Sequence, residues 1–277
     1  MAKPSRPGAQ VLLQGLDLLR LLARQDGPVS GASLAKLTGQ HPSTVSRLLS
    51  ALARASYVRK PDYHSYTVDL GLLTLLDRSA RHFPLTRLPR QTLIERAALM
   101  PSMRLSLATL HEHQQIYWLT VDADHEPNEL VVGGYPLHLS SVALRLLLEQ
   151  PREQALAHLA MSRRWNGWER PTPAVPSTAA ALLTDVRRRM IDGVLVLDGW
   201  QREGHLSAAV PVRAPDGRPL ALAISGPSPS DRAAALAHLR AARDAVEADL
   251  FLECRHDRAA ARISRGRHRA TRTGADR

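Results

Sequence analysis

Near the start of the chain, apolar positions recur at helical spacing. Leu12, Leu16, Leu19 and Ala23 step by three or four residues, and Leu13 and Leu22 widen the stripe, which predicts an amphipathic helix over 11–23. Gly27-Pro28 ends it. Val29 reads as a short extended residue, and Ser30 or Gly31 caps a second helix, Ala32 to Leu37, which Gly39 terminates. A third helix starts at Pro42, a good first-turn residue because it has no N–H to leave unpaired. Its apolar set is Val45, Leu48, Leu49, Leu52 and Ala55. Tyr57-Val58 and Tyr66-Thr67-Val68 predict two short strands joined by the polar tip Arg59–Ser65.

The pattern then changes. Leu70 to Ala80 predicts a linking helix, and Pro84 and Pro89 punctuate the chain before a helix over 92–99. Arg104 to Leu110 and Gln115 to Val121 alternate as paired strands, with a third over 129–132. Helices are expected over 139–149 and 153–161, a loop over 165–176, and a helix capped by Ser177 that runs to Met190. Strands follow at 194–197, 206–212 and 220–225, the last two joined by the hairpin signal Asp216-Gly217. Ser230 is expected to cap a long last helix ending near Leu252. Residues 255–277 lack apolar periodicity and read as an unstructured tail.

Charge changes the picture more than composition does. The net charge is +11, with 37 Lys/Arg against 26 Asp/Glu. Residues 1–68 hold nine Lys/Arg and three Asp, and residues 255–277 hold eight Arg and two Asp, so the middle of the chain is nearly neutral. A basic excess confined to the two ends favours a polyanion, with double-stranded DNA the first candidate partner. The single cysteine, Cys254, excludes an intramolecular disulfide. No stretch approaches the ~20 apolar residues of a membrane helix, and the polar start has no signal-peptide character. A cytoplasmic protein is the expectation.

Three short helices followed by a basic hairpin form the pattern of a winged helix-turn-helix. One helix fits the major groove, and the preceding helix braces it across a tight turn, here Thr38-Gly39-Gln40-His41. Candidate DNA contacts are Ser33 and His41 around that turn, Ser43, Thr44, Ser46 and Arg47 on the third helix, and Arg59, Lys60 and His64 on the wing. Short hydroxyls at a helix start reach phosphates and base edges, and Arg47 reaches a guanine edge or a phosphate.

These residues carry a resemblance. Residues 9–76 resemble the DNA-binding domain of IclR-type regulators, through Gly15-Leu16-Asp17-Leu18-Leu19-Arg20-Leu21-Leu22, Leu34-Ala35-Lys36-Leu37-Thr38-Gly39, Pro42-Ser43-Thr44-Val45-Ser46-Arg47-Leu48-Leu49 and Tyr66-Thr67-Val68-Asp69-Leu70-Gly71. One departure is Ser56, where the family usually has Gly before Tyr57. A weaker resemblance to the family's effector-binding domain rests on Gly134-Tyr135-Pro136-Leu137-His138-Leu139-Ser140-Ser141, Asp192-Gly193-Val194, Gly204-His205-Leu206-Ser207-Ala208-Ala209-Val210-Pro211-Val212 and Ile224-Ser225-Gly226-Pro227.

The resemblance implies an α+β chain. Its winged domain would span 9–69 after an unstructured start at 1–8, and a linker helix would span 70–84. A GAF-like α/β domain over 85–254 would bind effector and oligomerise, before the basic tail at 255–277. It implies a homodimer or dimer of dimers on a roughly palindromic operator. A small-molecule effector is the second candidate partner, placed near Leu139, Ser140, Ser141, Trp200, Ser207, Ala208 and Ser225. Ala143-Leu144 replaces a common Gly-Lys pair, Trp200 replaces an acidic residue, and Ser207 stands where Cys is common. Leu144 and Trp200 are expected to make the pocket fuller or more apolar.

The C-terminal part shows no complete catalytic site, and no enzyme activity, cofactor or metal is expected. His111-x-His113 lacks a third ligand, and His205 with Ser207 lacks an acid and a nucleophile elbow. The rival reading is an architectural DNA-binding protein whose C-terminal domain only dimerises. The Arg-rich tail either adds non-specific DNA contacts or is a solvated end.

Overall fold

The computed structural model describes residues 7–122 and 127–273, leaving aside the side chains of 7, 77–82, 129 and 253–273. Expectations for residues 1–6 and 274–277, and for the thiol of Cys254, lie outside the described residues. The chain divides into two compact units, Met1–Arg81 and His82–Arg277.

The first unit is a helical trio with a three-stranded sheet. Its elements are α1 (Pro7–Ala23), β1 (Val29–Ser30), α2 (Gly31–Thr38), α3 (Pro42–Arg54), β2 (Val58–Arg59), β3 (Ser65–Val68) and α4 (Gly71–His82). The strand order is β1-β3-β2, all antiparallel. Ser30 caps α2 by accepting from the amide of Ser33, and Gly39 closes it at φ +67°, the left-handed conformation that glycine takes without a steric penalty. The core is Leu18, Leu19, Leu22, Leu34, Val45, Leu49, Val58 and Tyr66.

That core corrects the reading of α1. Leu12, Leu13 and Leu16 are exposed, whereas Leu18 and Leu22 are buried and Gly15 lies against Leu48. In a helix with leucines on several faces, periodicity alone offers two overlapping stripes, and packing against α3 selects one. Pro7 and Gly8 also belong to α1 rather than to an unstructured start.

The second unit is a seven-stranded antiparallel sheet between two helical layers. Its strands are β4 (Arg104–His111), β5 (Gln114–Val121), β6 (Asn128–Val132), β7 (Met190–Ile191), β8 (Val194–Asp198), β9 (His205–Val212) and β10 (Leu220–Pro227). They run in the order β6-β5-β4-β10-β9-β8-β7. Short helices α5 (Pro84–Arg87) and α6 (Arg90–Ala98) precede the sheet. Helices α7 (Ser141–Leu147), α8 (Arg152–Asn166) and α9 (Ala179–Arg188) lie between β6 and β7 in sequence, and α10 (Arg232–Thr273) closes the chain.

Strand alternation sends Leu105, Leu107, Leu206, Ala208, Val210, Leu222 and Ile224 to one face, against Leu93 of α6 and Leu236, Leu239 and Val246 of α10. Ala108, Leu195, Leu197, Ala209 and Ala221 face the other side, against α7, α8 and α9. Alanine dominates there, which allows close approach of the helices.

Four details differ from expectation. The helix predicted over 139–149 is a 3₁₀ turn, Leu137–Leu139, followed by α7, because the Ser140 side chain caps the amide of Ala143 and starts a new helix. Thr178, not Ser177, caps α9. Asp231, not Ser230, accepts from the amide of Ala234 at the start of α10. Neighbouring residues of equal capping ability are resolved only by the helix phase. Finally, α10 runs to Thr273, through residues read as unstructured. Ala and Arg propagate a helical backbone without any apolar stripe.

Candidate functional site

The exposed side of α3 carries hydroxyls and a guanidinium. His41 is its N-cap, with Nδ1 placed 2.9 Å from the Ser43 hydroxyl and accepting from the Ser43 amide. Pro42 follows at the first helical position. Val45 and Leu49 are buried, so Ser43, Ser46 and Arg47 point to solvent, with Thr44 half-buried beside them. Ser33 sits at the start of α2 and is tied to the Ser30 hydroxyl at 2.9 Å.

The wing is pinned at its tip. Asp62 Oδ1 accepts from the amides of His64 and Ser65, both at 2.8 Å. These bonds hold the Asp62 carboxyl below its ordinary pKa, the Ser65 hydroxyl contributing most. Arg59, Lys60 and His64 are exposed, and the Lys60 ammonium stands 4.9 Å from the Tyr66 ring centroid.

In the second unit, a cavity of about 360 Å³ opens at one end of the sheet. Register explains its floor. Ser207 of β9 pairs with Ser225 of β10, which pairs with Arg104 of β4, while Ala223 pairs with Ser106. Residues at these alternate positions share a face. A β-bulge at Leu107/Ala108 shifts the pairing, so that Ser106 opposes Thr120 but Ala108 opposes Tyr117. The shift sends Trp118 to the opposite core and aims Tyr117 at the cavity.

The roof is the start of α7, where Ser140 and Ser141 are buried. Ser141 Oγ lies 2.6 Å from Ser207 Oγ, and Tyr117 Oη lies 3.5 Å from Ser140 Oγ. Asn128, Tyr135 and Gln201 complete the wall. Burial pushes the phenols of Tyr117 and Tyr135 above their ordinary pKa, so both stay protonated donors. Arg104 donates from Nε and Nη2 to the two carboxylate oxygens of Asp122, at 2.8 and 3.1 Å.

The comparisons with known proteins fit this geometry. Residues 11–62 match the family model for the IclR helix-turn-helix domain. The N-terminal unit therefore carries an IclR helix-turn-helix domain. Solved structures agree in fold. An IclR family transcriptional regulator from Brucella abortus superposes with a TM-score of 0.67 at 21% identity, over 86% of this chain and 92% of its own. A putative IclR regulator from Silicibacter sp. TM1040 gives 0.64 at 21%, over 87% and 96%. An IclR homologue from Microbacterium hydrocarbonoxydans, crystallised with 4-hydroxybenzoate, gives 0.57 at 20%, over 87% and 99%. No curated protein sequence matches the chain.

The expected site residues divide clearly. In the winged unit His41, Ser43, Thr44, Ser46 and Arg47 cluster at the start of α3, whereas Ser33 is engaged in the α2 cap. In the second unit Ser140, Ser141, Ser207 and Ser225 line the cavity. Leu139, Trp200 and Ala208 are not among its lining residues. Ala208 follows Ser207 on a strand and therefore faces the α10 side. Trp200 is packed in the core on the cavity's own side of the sheet, beneath α7, its indole N–H donating to the carbonyl of His138 at 3.0 Å.

Leu144 is buried in that same core, and neither it nor Trp200 is among the lining residues. The lining is instead rich in hydroxyls. Sequence reading missed Arg104, Ser106, Tyr117 and Thr120, although the alternation of β4 and its pairing with β10 carried part of the signal. The bulge that aims Tyr117 had no local signature.

His113, one of the metal-like pair, meets His158 with Nδ1 atoms 3.1 Å apart, and burial lowers the pKa of His158. No group of three or more His, Cys, Asp or Glu side chains gathers among the described residues. Nor is any described helix long and apolar enough to cross a membrane.

Proposed function

We propose that this protein is a sequence-specific, DNA-binding transcription regulator that acts in the cytoplasm, and that its C-terminal unit binds a small-molecule effector and holds the protein as a homo-oligomer. The observation that carries the reading is the solvent face of α3. His41 caps the helix and Ser43, Ser46 and Arg47 project from it, in a domain that matches the IclR helix-turn-helix model.

Specificity comes from Ser43, Thr44, Ser46 and Arg47 at base edges, and affinity from Arg59, Lys60 and His64 on phosphates. The basic excess at the N-terminal end supports this. The cavity of about 360 Å³ supports an effector, since its size falls within the range of small-molecule sites. The Microbacterium homologue was crystallised with one. Exposed leucines on α1 and α4 support self-association. An effector shifts DNA affinity only by its differential affinity for the DNA-competent and incompetent states.

The deciding experiment is DNA binding to genomic fragments, including the protein's own promoter, across a salt series, for wild type and Arg47→Ala. Selective binding that Arg47→Ala abolishes is the expected result. Equal, unselective binding by both would reject α3 as the reading helix.

A further inference from the structure

We infer that the cavity selects an uncharged, hydroxyl-bearing ring over the corresponding carboxylate, because Arg104, the basic side chain among its described lining residues, is already charge-paired with Asp122. This rests on the effector reading and names the ligand class of that same site.

Charge comes first. Arg104 is the charged residue among the described lining residues. Two of its five N–H donors meet the two oxygens of Asp122 in a paired fork, so that carboxylate balances its charge. A ligand carboxylate entering the cavity would meet a cation whose charge Asp122 already balances, with no other cation among the described lining residues. A second negative charge there gains little net attraction and faces the Asp122 carboxylate. The bound 4-hydroxybenzoate of the Microbacterium homologue is such a carboxylate, and the closed pair sets this chain apart from a simple carboxylate receptor.

Hydrogen-bonding capacity points the same way. The lining offers the hydroxyls of Ser106, Thr120 and Ser225, the Asn128 and Gln201 amides and the Tyr135 phenol. Serine and threonine hydroxyls both donate and accept, and ligand hydroxyls do the same, whereas a carboxylate only accepts. The side chains of Ser225, Asn128 and Tyr135 make no hydrogen bond to another described residue, so their capacity is open to a ligand. Gln201 spends its amide N–H on the carbonyl of Leu139 at 3.1 Å, which leaves its oxygen as an acceptor for a ligand O–H. Tyr117 and Tyr135 add aromatic surface for a ring.

The test uses the full chain and matched neutral and acidic probes: 4-hydroxybenzyl alcohol against 4-hydroxybenzoate, catechol against 3,4-dihydroxybenzoate, and glucose against glucuronate. Binding is read by calorimetry for wild type, Ser225→Leu, Arg104→Gln and Asp122→Asn, with circular dichroism confirming that each variant is folded. The expected result is that the neutral member of at least one pair binds wild type about tenfold or more tightly than its acid, the span of one charged hydrogen bond. Ser225→Leu should lose that binding. Asp122→Asn, which frees the guanidinium, should reverse the preference toward the acid.

Tighter binding of the acids by wild type, lost in Arg104→Gln, would overturn the inference while the effector reading stood. No binding of any probe by wild type or by Asp122→Asn would remove the effector reading itself. The wild-type comparison within each pair needs no variant to fold.

Discussion

The amide of Gly71 donates to the carbonyl of Ser56 at 2.8 Å, so closely that a Cβ on Gly71 would stand 2.6 Å from the same oxygen. Ser56 itself has φ +61°, a left-handed conformation that glycine adopts freely and serine does not. The contact joins the end of α3 to the start of α4 and closes the base of the wing. Gly71→Ala should therefore lower the stability of the winged unit by about 1–3 kcal/mol. Ser56→Gly should be neutral or stabilising by less than about 1 kcal/mol, because relief of the left-handed strain exceeds the added chain entropy only slightly. Chemical denaturation of both variants checks the pair, and a stable Gly71→Ala would show that the α3–α4 junction relaxes freely.

The departure at Ser56 was legible in the sequence, but its conformation was not, since that depends on the residue's partner fifteen positions later. The same holds across the chain. The winged domain was readable almost throughout, because local signals such as Pro42, Gly39 and the hydroxyls of α3 coincide with its function. The cavity was half readable. Four serines were found by resemblance, but Arg104 and Tyr117 reach the site through strand register and a bulge. Those are set by pairing across 121 and nine residues, Arg104 to Ser225 and Ala108 to Tyr117, which no local window contains.

Trp200 behaves as a core anchor rather than a ligand contact. It is 1% exposed and bonds to a buried backbone carbonyl. Trp200→Phe should destabilise the C-terminal unit by about 1–3 kcal/mol, since the His138 carbonyl loses its donor. Ligand affinity, measured on the folded fraction, should stay unchanged. A selective loss of ligand binding with unchanged stability would place Trp200 at the cavity after all.

Buried His138 and half-buried His158 predict an acid-sensitive C-terminal unit. Burial lowers the pKa of both His138 and His158 from the ordinary 6.5, with His113 adding repulsion at His158. The folded state then binds fewer protons than the unfolded state. The stability from these groups is present above about pH 6.5 and is lost as pH falls from there toward the folded-state values. Thermal midpoints taken between about pH 8 and pH 5 should fall on acidification, and His158→Gln should flatten that fall. An unchanged pH profile in His158→Gln would mean that His158 is not protonated in the unfolding reaction.

Lys60 and Arg47 should separate affinity from reading. Lys60 lies on the wing beside Tyr66, where the proposed function has it meet phosphate, whereas Arg47 projects from α3, the proposed reading helix. Lys60→Ala should weaken binding evenly across DNA sequences and lower the slope of log K against log salt by about one. Arg47→Ala should change which sequences are preferred. Competition binding with a randomised DNA library, run at several salt concentrations, distinguishes the two, and a sequence-selective loss in Lys60→Ala would move specificity to the wing.

The winged unit exposes more leucine than a monomer has use for. Leu12 and Leu13 on α1 are 64% and 55% exposed, and Leu73 and Leu76 on α4 are 60% and 48% exposed. Scattered apolar residues are ordinary on a surface, but repeated leucines on two helices of one small unit are the candidates for the proposed self-association. A second copy of the chain is the partner that a palindromic operator requires, because a two-fold protein reads a two-fold site. Charge placed on that surface should separate the copies without disturbing the buried core of Leu18, Leu22 and Val45. Leu12→Glu with Leu73→Glu should therefore reduce the mass in solution and weaken binding to a full palindrome far more than to a half-site. Sedimentation and anisotropy titrations measure these two effects. A variant that keeps both its mass and its preference for the full palindrome would show that the copies meet elsewhere, and the exposed leucines would need another partner.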